Sequence, residues 1–335
     1  MLRFILRRIL LILPVLIGMT IIMFVIARVL PGDPVGLAAG PNATRAEIEA
    51  LAREFGLDQP LWVQYWTYLS GLVQGDFGTS LFSRRPVATD LAAYLPATLE
   101  LVFSALLLAI VVGIPAGLMA AVWRNKWPDY LSNILSVAAI SMPRFFLGLL
   151  LQLCFAMWLM WLPLGGRFPI IFDPPPGVTG FYTIDSIIAG DWESFWTALR
   201  YLALPAIAMS LSPLATILRM MRASTIEVMH QDYVTTARAL GLSPRLIVFK
   251  YVLRNAISSS LTVIGLYFGW LLGGTVLVET VFDWPGIGLY ATSAIVSQDF
   301  MPVVSVALVI GVLFVTANIV IDVLYGLINP KVRYQ

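Results

Sequence analysis

Six long runs of apolar residues recur along this chain of 335 residues and constrain its fold more than any other feature. They lie at about residues 9–30, 98–122, 131–162, 201–221, 257–278 and 303–328. A helix of about 20 apolar residues crosses the hydrocarbon core of a bilayer, so each run is long enough to span a membrane. Because 59% of the residues are hydrophobic and 12% are charged, the composition also lies outside that of soluble domains. The sequence therefore predicts an all-α membrane protein with six transmembrane helices.

The apolar runs divide the chain into two predicted units. Residues 1–96 comprise the first transmembrane helix and a polar helical region outside the membrane, and residues 97–335 comprise a five-helix core. Three arginines precede the first run, as in a signal peptide, but the run is too long for one and no small-x-small cleavage site follows it. We therefore expect the first run to remain as a membrane anchor.

The polar region at residues 31–97 predicts two amphipathic helices. Thr44 and Glu47 have the spacing of a capping box ahead of the first helix. Pro60 opens the second helix, which is rich in Trp and Tyr, residues that favour the level of the lipid headgroups. We expect both helices to pack on the outer ends of the spans; the alternative is that they form a docking surface for an external partner.

The distribution of Lys and Arg indicates the orientation in the bilayer. If the N-terminus is cytoplasmic, most of the basic residues lie in the inner segments, and the short outer segment 279–302 contains no Lys or Arg. Short cytoplasmic loops carry an excess of positive residues. We therefore expect a multi-pass protein surrounded by membrane lipid, with both termini in the cytoplasm.

The composition argues against several kinds of chemical site. The single cysteine, Cys154, rules out an internal disulfide and a Cys-based metal cluster, and the single histidine, His230, rules out a His-rich site. No Gly-rich loop ends in Lys-Ser or Lys-Thr, so the sequence lacks a phosphate-binding loop of that type. The spans contain no nucleophile–base pair and no carboxylate dyad. We therefore expect a chain that is not an enzyme, binds no metal or other cofactor and has no nucleic-acid partner.

The segment 222–256 is the longest polar stretch between the last three runs, and it is basic. Asp232 is placed to cap the N-terminus of a short helix, and Gly241 stands where a helix favours a left-handed residue at its end. Ser243 caps a second short helix that has Pro244 at its first position, where the missing N–H costs nothing. Because two capped helices hold a fixed shape, we expect this loop to dock onto a cytoplasmic partner.

Arg144 is the first candidate for a residue of a translocation pathway. It follows Pro143 near the middle of the third run, where a charge costs about 2.5–3.5 kcal/mol, so we expect it to face protein or water rather than lipid. There it would meet an anionic group such as a peptide carboxylate. The alternatives are that it pairs with a carboxylate or helix end inside the assembly, or that Pro143 breaks the helix and changes its depth.

A stripe of four glycines on the fifth run is the second candidate. Its members are Gly265, Gly269, Gly273 and Gly274. Small residues let another helix approach closely, so close packing is the first expectation for this stripe. The alternative is a smooth pathway surface, for which Gly269 and Gly273 are the candidate lining residues.

The loop at 222–256 resembles the cytoplasmic signature loop of ABC importer permeases, in the branch that takes up dipeptides, oligopeptides and nickel. Here Thr235-Thr236-Ala237 stands in place of Glu-Ala-Ala, Gly241 occupies the glycine position, and Arg254 stands where many permeases have proline. Other motifs agree along nearly the whole chain: Pro31-Gly-Asp-Pro34, Gly75-Asp-Phe-Gly78, Pro96-Ala-Thr-Leu-Glu100, Ser141-Met-Pro143, Glu279-Thr-Val-Phe282, Trp284-Pro-Gly-Ile-Gly288 and Asn329-Pro330. Together they resemble the first of the two permeases of a dipeptide-type system.

The resemblance implies the type I ABC importer permease fold, with a helical periplasmic insertion between helices 1 and 2, in the bacterial cytoplasmic membrane. It implies a heterodimer with a second homologous permease, two cytoplasmic ABC ATPase subunits that bind ATP and Mg, and a periplasmic solute-binding protein that delivers the cargo. Closure of the ATPase pair would push the loops together and turn the pathway outward. The loop residues expected to couple to the ATPase are Asp232, Tyr233, Ala237, Arg238, Ala239, Gly241, Leu242 and Arg245.

The cargo and the transport class have alternatives. Dipeptides or oligopeptides are the expected cargo, but nickel, glutathione and oligosaccharides stay open because the external binding protein would set most of the specificity. An ion-coupled secondary transporter would need buried carboxylates in mid-span and an internal repeat, whereas the spans are nearly free of charge and show no clear repeat. A membrane scaffold that transports nothing would leave the caps of the loop without a role.

Overall fold

The structure is a computed structural model that describes residues 2–29, 43–54 and 56–328. Two of the motifs quoted above, at residues 31–34 and 329–330, lie outside these ranges. The described residues contain helices and no β-strand; one isolated bridge joins Thr79 and Pro86.

The helices are, in chain order, α1 (Leu2–Val29), α2 (Arg45–Glu54), α3 (Leu61–Val73), α4 (Val87–Val122), α5 (Trp127–Ser141), α6 (Arg144–Leu151), α7 (Tyr182–Ala189), α8 (Trp192–Met229), α9 (Asp232–Ala239), α10 (Pro244–Leu246), α11 (Leu253–Val281), α12 (Ile287–Val296) and α13 (Phe300–Ile328). Two π-helical segments, Gln152–Trp158 and Ile247–Val252, follow α6 and α10 directly.

The described helices confirm an all-α membrane protein. Four of them, α4, α8, α11 and α13, contain stretches long and apolar enough to cross a membrane, and the bent pair of α5 and α6 makes a fifth crossing if it counts as one span. The described apolar part of α1 is shorter than a full span. The count of six therefore stays a prediction.

Two spans are longer than their apolar runs predict. α4 begins at Val87 rather than near residue 98, so the predicted boundary between residues 96 and 97 falls inside a helix. α8 extends from Trp192 to Met229, beyond both ends of the predicted span 201–221. Hydropathy misses such ends because the helix continues outside the apolar core, where polar side chains are tolerated.

The predicted third span, residues 131–162, is wrong as a continuous helix. α5 and α6 meet at a bend of 106°. Met142 is extended (φ −99°, ψ 135°) and Pro143 follows it. Proline disfavours the helical conformation in the residue before it and donates no N–H, which explains the break. Arg144 is the first residue of α6, so the alternative that Pro143 breaks the helix is confirmed.

α8 lies at the centre of the bundle and packs against α4, α5, α6, α7 and α11. Its crossing with α4 is close because two glycines of α4, Gly113 and Gly117, face it. A Cβ on Gly117 would lie 2.5 Å from the carbonyl oxygen of Leu218. The Gly-x-x-x-Gly spacing permits such close approach of two membrane helices.

The helices of the polar region confirm the predicted caps. Glu47 accepts a hydrogen bond from the Thr44 backbone N–H (2.7 Å), and the Glu47 N–H donates to the Thr44 hydroxyl (3.3 Å), which completes the capping box. α3 packs on α1, where the hydroxyls of Thr20 and Tyr65 lie 3.0 Å apart. The expectation that this helix packs on a span is thus confirmed.

Candidate functional site

The N-terminus of α9 differs by one residue from the prediction. Gln231 is the N-cap, and Asp232 is the first helical residue; no side chain caps this end. The predicted cap by Asp232 is therefore wrong. Its carboxylate still lies in the first turn, where the partial positive charge of the helix end favours an anion.

The C-terminus of α9 confirms the prediction for Gly241. This residue has φ +73°, in the left-handed region. The Gly241 N–H donates to the Arg238 carbonyl (3.0 Å), and the Leu242 N–H donates to the Ala237 carbonyl (3.2 Å). These two bonds form a Schellman motif, which satisfies the last carbonyls of the helix and sets the direction of the chain that leaves it.

The second helix of the loop begins as predicted but does not end as a short helix. The Ser243 hydroxyl accepts a hydrogen bond from the Leu246 N–H (3.4 Å), and Pro244 occupies the first position of α10. The chain then continues through the π-helical segment Ile247–Val252 into α11. The loop is therefore continuous with the long helix α11.

A small apolar core holds α9 against the rest of the loop. It consists of Val234, Ala237, Ile247 and Val252, with Leu242 partly buried against it. Ala237 is 4% exposed, so it faces the loop's own core. Of the two alanines expected to permit close docking, Ala237 therefore packs within the chain, while Ala239 is exposed.

The outward surface of the loop combines apolar and basic side chains. Of the predicted coupling residues, the exposed ones are Asp232, Tyr233, Arg238, Ala239, Gly241 and Arg245, whereas Leu242 is half-buried. Sequence reasoning missed two large apolar residues on this surface: Leu240 is 74% exposed and Phe249 is 64% exposed.

An ion pair ties the base of the loop to α5. The Arg222 guanidinium, near the end of α8, donates two hydrogen bonds to the Asp129 carboxylate (2.6 and 2.9 Å). The Asn125 backbone N–H and the Asn133 side-chain amide also donate to this carboxylate (both 3.0 Å). Asp129 is 2% exposed, so this buried carboxylate links the end of α8 to α5.

Arg144 lies at the edge of a cavity of about 1010 Å³ between α1, α6, α11 and α13. The lining is chiefly apolar and includes Met19, Trp270, Leu277 and Phe314. Among the described residues, no carboxylate lies within 4.0 Å of the Arg144 guanidinium. The expected pairing of Arg144 with a carboxylate therefore has no support within the described part of this chain.

The glycine stripe of α11 serves two purposes. Gly265 and Gly269 face α13, where an added Cβ would lie 2.6 Å from Ile321 and would overlap the ring of Phe314, so close packing is confirmed for these two. A Cβ on Gly273 would meet no atom within 4 Å. Both Gly269 and Gly273 line the cavity.

Buried acidic residues, which sequence reasoning did not single out, join the helices at the end of the bundle opposite to the loop, which we call the locked end. Glu279 is fully buried and accepts hydrogen bonds from the Thr98 hydroxyl (2.7 Å) and from the N–H groups of Gly288 (2.7 Å) and Leu289 (3.0 Å), at the start of α12. The carboxylate thus joins α4, α11 and α12, where a helix N-terminus favours negative charge.

A second buried carboxylate joins the same end to the loop before α7. Glu100 pairs with Arg167 and accepts hydrogen bonds from the backbone N–H and hydroxyl of Thr183 (2.8 and 2.7 Å). The Arg167 guanidinium lies 3.8 Å from the centre of the Tyr182 ring. The sequence signal for these two buried carboxylates lay in the motifs at residues 96–100 and 279–288, because each motif places a glutamate at one end of an apolar run.

Comparison with protein families relates both parts of the chain to transport. Residues 113–334 match the family described as binding-protein-dependent transport system inner membrane component. Residues 1–102 match the N-terminal family of binding-protein-dependent transport system membrane components. The two matches together cover nearly all of the described residues.

Individual relatives resemble the chain over nearly its full length. It is 45% identical to a probable D,D-dipeptide transport system permease protein of Escherichia coli strain K12, over 95% of this chain and 94% of the relative. It is 42% identical to a dipeptide transport system permease protein of Alkalihalophilus pseudofirmus, over 100% of both chains. It is 39% identical to a glutathione transport system permease protein of Escherichia coli strain K12, again over 100% of both.

Proposed function

Because this chain belongs to the family of binding-protein-dependent transport system inner membrane components, we propose that it forms half of the translocation pathway of an ATP-driven importer of dipeptides or oligopeptides. The chain is a transport component rather than an enzyme. In this proposal it pairs with a second homologous permease, two cytoplasmic ABC ATPases supply the energy with ATP and Mg, and a periplasmic binding protein delivers the cargo. Both termini lie in the cytoplasm.

The cargo class rests on relatives whose names specify D,D-dipeptides, dipeptides and glutathione. All three are small peptides or peptide-like molecules with free carboxylates. Glutathione therefore stays the second candidate cargo. Nickel and oligosaccharides have no such support, and membership in a binding-protein-dependent family removes the ion-coupled transporter from consideration.

The observation that supports coupling to an ATPase is the outward surface of α9. This helix ends in a Schellman motif, rests on its own apolar core and continues through α10 into α11. Leu240 is 74% exposed, and the basic Arg238 and Arg245 of the same loop are exposed as well. A groove with apolar walls and acidic rims would match this surface, because apolar burial supplies affinity and arginine pairs with carboxylates.

The proposed mechanism follows from the connections of the loop. Closure of the two ATPases on ATP would bring the α9 helices of the two permeases together. The displacement would pass through the π-helical segment to α11 and through the Arg222–Asp129 ion pair to α5. α11 carries the proposed pathway residues Gly269 and Gly273, α6 carries Arg144, and α5 leads into α6. Movement of these helices would therefore turn the pathway outward.

The test is the substitution Leu240→Asp in the complex assembled with its ATPase and permease partners. A carboxylate on the docking surface would lose the apolar contact and add a desolvation cost, so we expect at least about tenfold less ATPase to co-purify and a similar loss of peptide uptake. Val296→Asp is the matched control, since Val296 is 81% exposed at the opposite end of the bundle. Normal ATPase retention and normal uptake in Leu240→Asp would contradict the docking assignment.

A further inference from the structure

We propose that Arg144 and the cavity beside it bind the carboxylate of the peptide cargo during its passage, so that this chain itself selects for an anionic group. This inference rests on the proposed function as a peptide importer. It goes further, because it gives the membrane subunit a part in cargo selection that is separate from the binding protein.

Arg144 differs from the other partly or fully buried arginines that join helices in this chain. Arg167 is neutralised by Glu100, and Arg222 is neutralised by Asp129. Arg144 has neither a carboxylate partner nor a hydrogen bond to any described residue. Since a partly buried charge is costly without a partner, the guanidinium is suited to an anion that arrives and leaves.

Gly274 creates the space for the Arg144 side chain. A Cβ added at this position would lie within van der Waals overlap of the Arg144 Nη1 atom. The guanidinium therefore lies directly against the backbone of α11, beside the cavity wall. A Cβ here would displace the guanidinium, which is the end of a flexible side chain, so the glycine leaves this position open to the charge.

The cavity matches a small peptide in size and polarity. Its volume of about 1010 Å³ is at the upper end of the range for small-molecule sites. Among the described residues that line it, Arg144 is the charged one, and the remainder are chiefly apolar. Apolar side chains of a peptide would contact these walls, and the charge would orient one end of the molecule.

A terminal carboxylate is the anion that this geometry fits. The α-carboxyl group of a peptide has a pKa of about 3.5, so it is ionised at neutral pH in every unblocked peptide. A guanidinium binds a carboxylate through two parallel N–H···O bonds, which fix orientation as well as adding affinity. Recognition of this group would admit peptides of any sequence, which suits an importer of mixed cargo.

The experiment compares a dipeptide with its C-terminal amide in proteoliposomes that contain the complete complex and its binding protein. The variants are Arg144→Gln, Arg144→Lys and Gly274→Ala, and the readout is the ratio of uptake rates for the two cargoes. Preference by the binding protein contributes equally to every variant, so a change in the ratio reports on this chain. Gly18→Ala is the control, because a Cβ there meets no atom within 4 Å and Gly18 does not line the cavity.

We expect Arg144→Gln to reduce the preference for the carboxylate by about tenfold, as the loss of one charge-assisted pair predicts. Gly274→Ala should reduce it because the added methyl displaces the guanidinium, whereas Arg144→Lys and Gly18→Ala should retain most of it. An unchanged ratio in Arg144→Gln, with carboxylate uptake intact, overturns the inference and leaves the peptide importer standing. Failure of the wild-type complex to import either cargo would instead overturn the proposed function.

Anionic lipid is the competing occupant of the cavity, and the liposome composition separates it from cargo. The same ratios are measured in vesicles of phosphatidylcholine alone and in vesicles that also contain phosphatidylglycerol. If cargo carboxylate binds Arg144, the ratio of wild type to Arg144→Gln is the same in both. If the effect of Arg144→Gln appears in the anionic vesicles alone, an anionic lipid occupies the site and the inference is wrong.

Discussion

The two ends of the helix bundle use polar residues in opposite ways. At the end where α12 begins, Glu100, Glu279 and Asp299 are at most 3% exposed, and each is saturated by hydrogen bonds from neighbouring segments. At the end that carries α9, charged and large apolar side chains project outward, and the Arg222–Asp129 pair connects the loop to its neighbour. Buried carboxylates join neighbouring segments at the first end, whereas the loop at the second end leaves charged side chains exposed.

The comparison bears on the proposal that the loop transmits movement. A docking element can move a helix bundle only if two conditions hold. The element itself must be rigid, and the far ends of the helices must be held in place. α9 meets the first condition through its apolar core and its Schellman motif. The buried carboxylates meet the second, because α4, α11 and α12 share the hydrogen bonds of Glu279.

The largest effect is expected from Glu279→Ala at the locked end. The substitution leaves the Thr98 hydroxyl and two backbone N–H groups buried without an acceptor, which should cost about 3 kcal/mol or more. Thermal unfolding of the purified protein in detergent measures this loss. Glu193→Ala, at an exposed position in the first turn of α8, is the control. Equal unfolding temperatures for the two variants would show that Glu279 does not hold the three helices together.

A smaller effect is expected at the base of the loop. In a double-mutant cycle, Asp129→Ala and Arg222→Ala should show a coupling energy of about 2 kcal/mol, because the pair is bidentate and Asp129 is buried. The same cycle on Arg45 and Glu49, an exposed pair on α2, should give less than about 0.5 kcal/mol. Similar coupling energies for the two pairs would contradict a structural link between α8 and α5.

The smallest change in stability, and the sharpest test of the comparison, comes from two glycines that end helices. Gly241 and Gly190 have φ of +73° and +71°, and a Cβ on either would meet no atom within 4 Å. Each Gly→Ala change should therefore cost about 1 kcal/mol through backbone strain alone. We expect Gly241→Ala to lower peptide uptake per ATP hydrolysed, and Gly190→Ala, at the locked end, to leave this ratio unchanged. Equal ratios in the two variants would count against α9 as the coupling element.

Local signals predicted the features that depend on a few neighbouring residues. The capping box at Thr44, the left-handed Gly241 and the Ser243-Pro244 helix start were all correct, because each depends on backbone geometry over one turn. The cap by Asp232 was wrong by one residue, since the choice between Gln231 and Asp232 depends on where the preceding helix ends. Hydropathy missed the bend at Pro143 because the apolar run continues through it.

The candidate site was predictable in part. The position of the proposed docking loop followed from its basic composition and its resemblance to a known loop, and the charge of Arg144 was visible as an exception within an apolar run. The outward direction of Leu240, the inward direction of Ala237 and the contact between Arg144 and Gly274 were not predictable. Each depends on which face of a helix meets which neighbour, and residues far apart in the chain decide that.

By itself the sequence determined that the chain lies in a membrane, that it is helical and where the loop falls. Each of these depends on the length of the apolar runs or on glycine and proline, which act locally. Tertiary structure alone decided which charges are neutralised and which are left free. Arg167, Arg222 and Arg144 are the same residue type in one chain, but within the described part of it carboxylates from other segments reach the first two and not the third. That difference arises from helix packing, which brings Glu100 and Asp129 across the bundle and leaves a cavity beside Arg144.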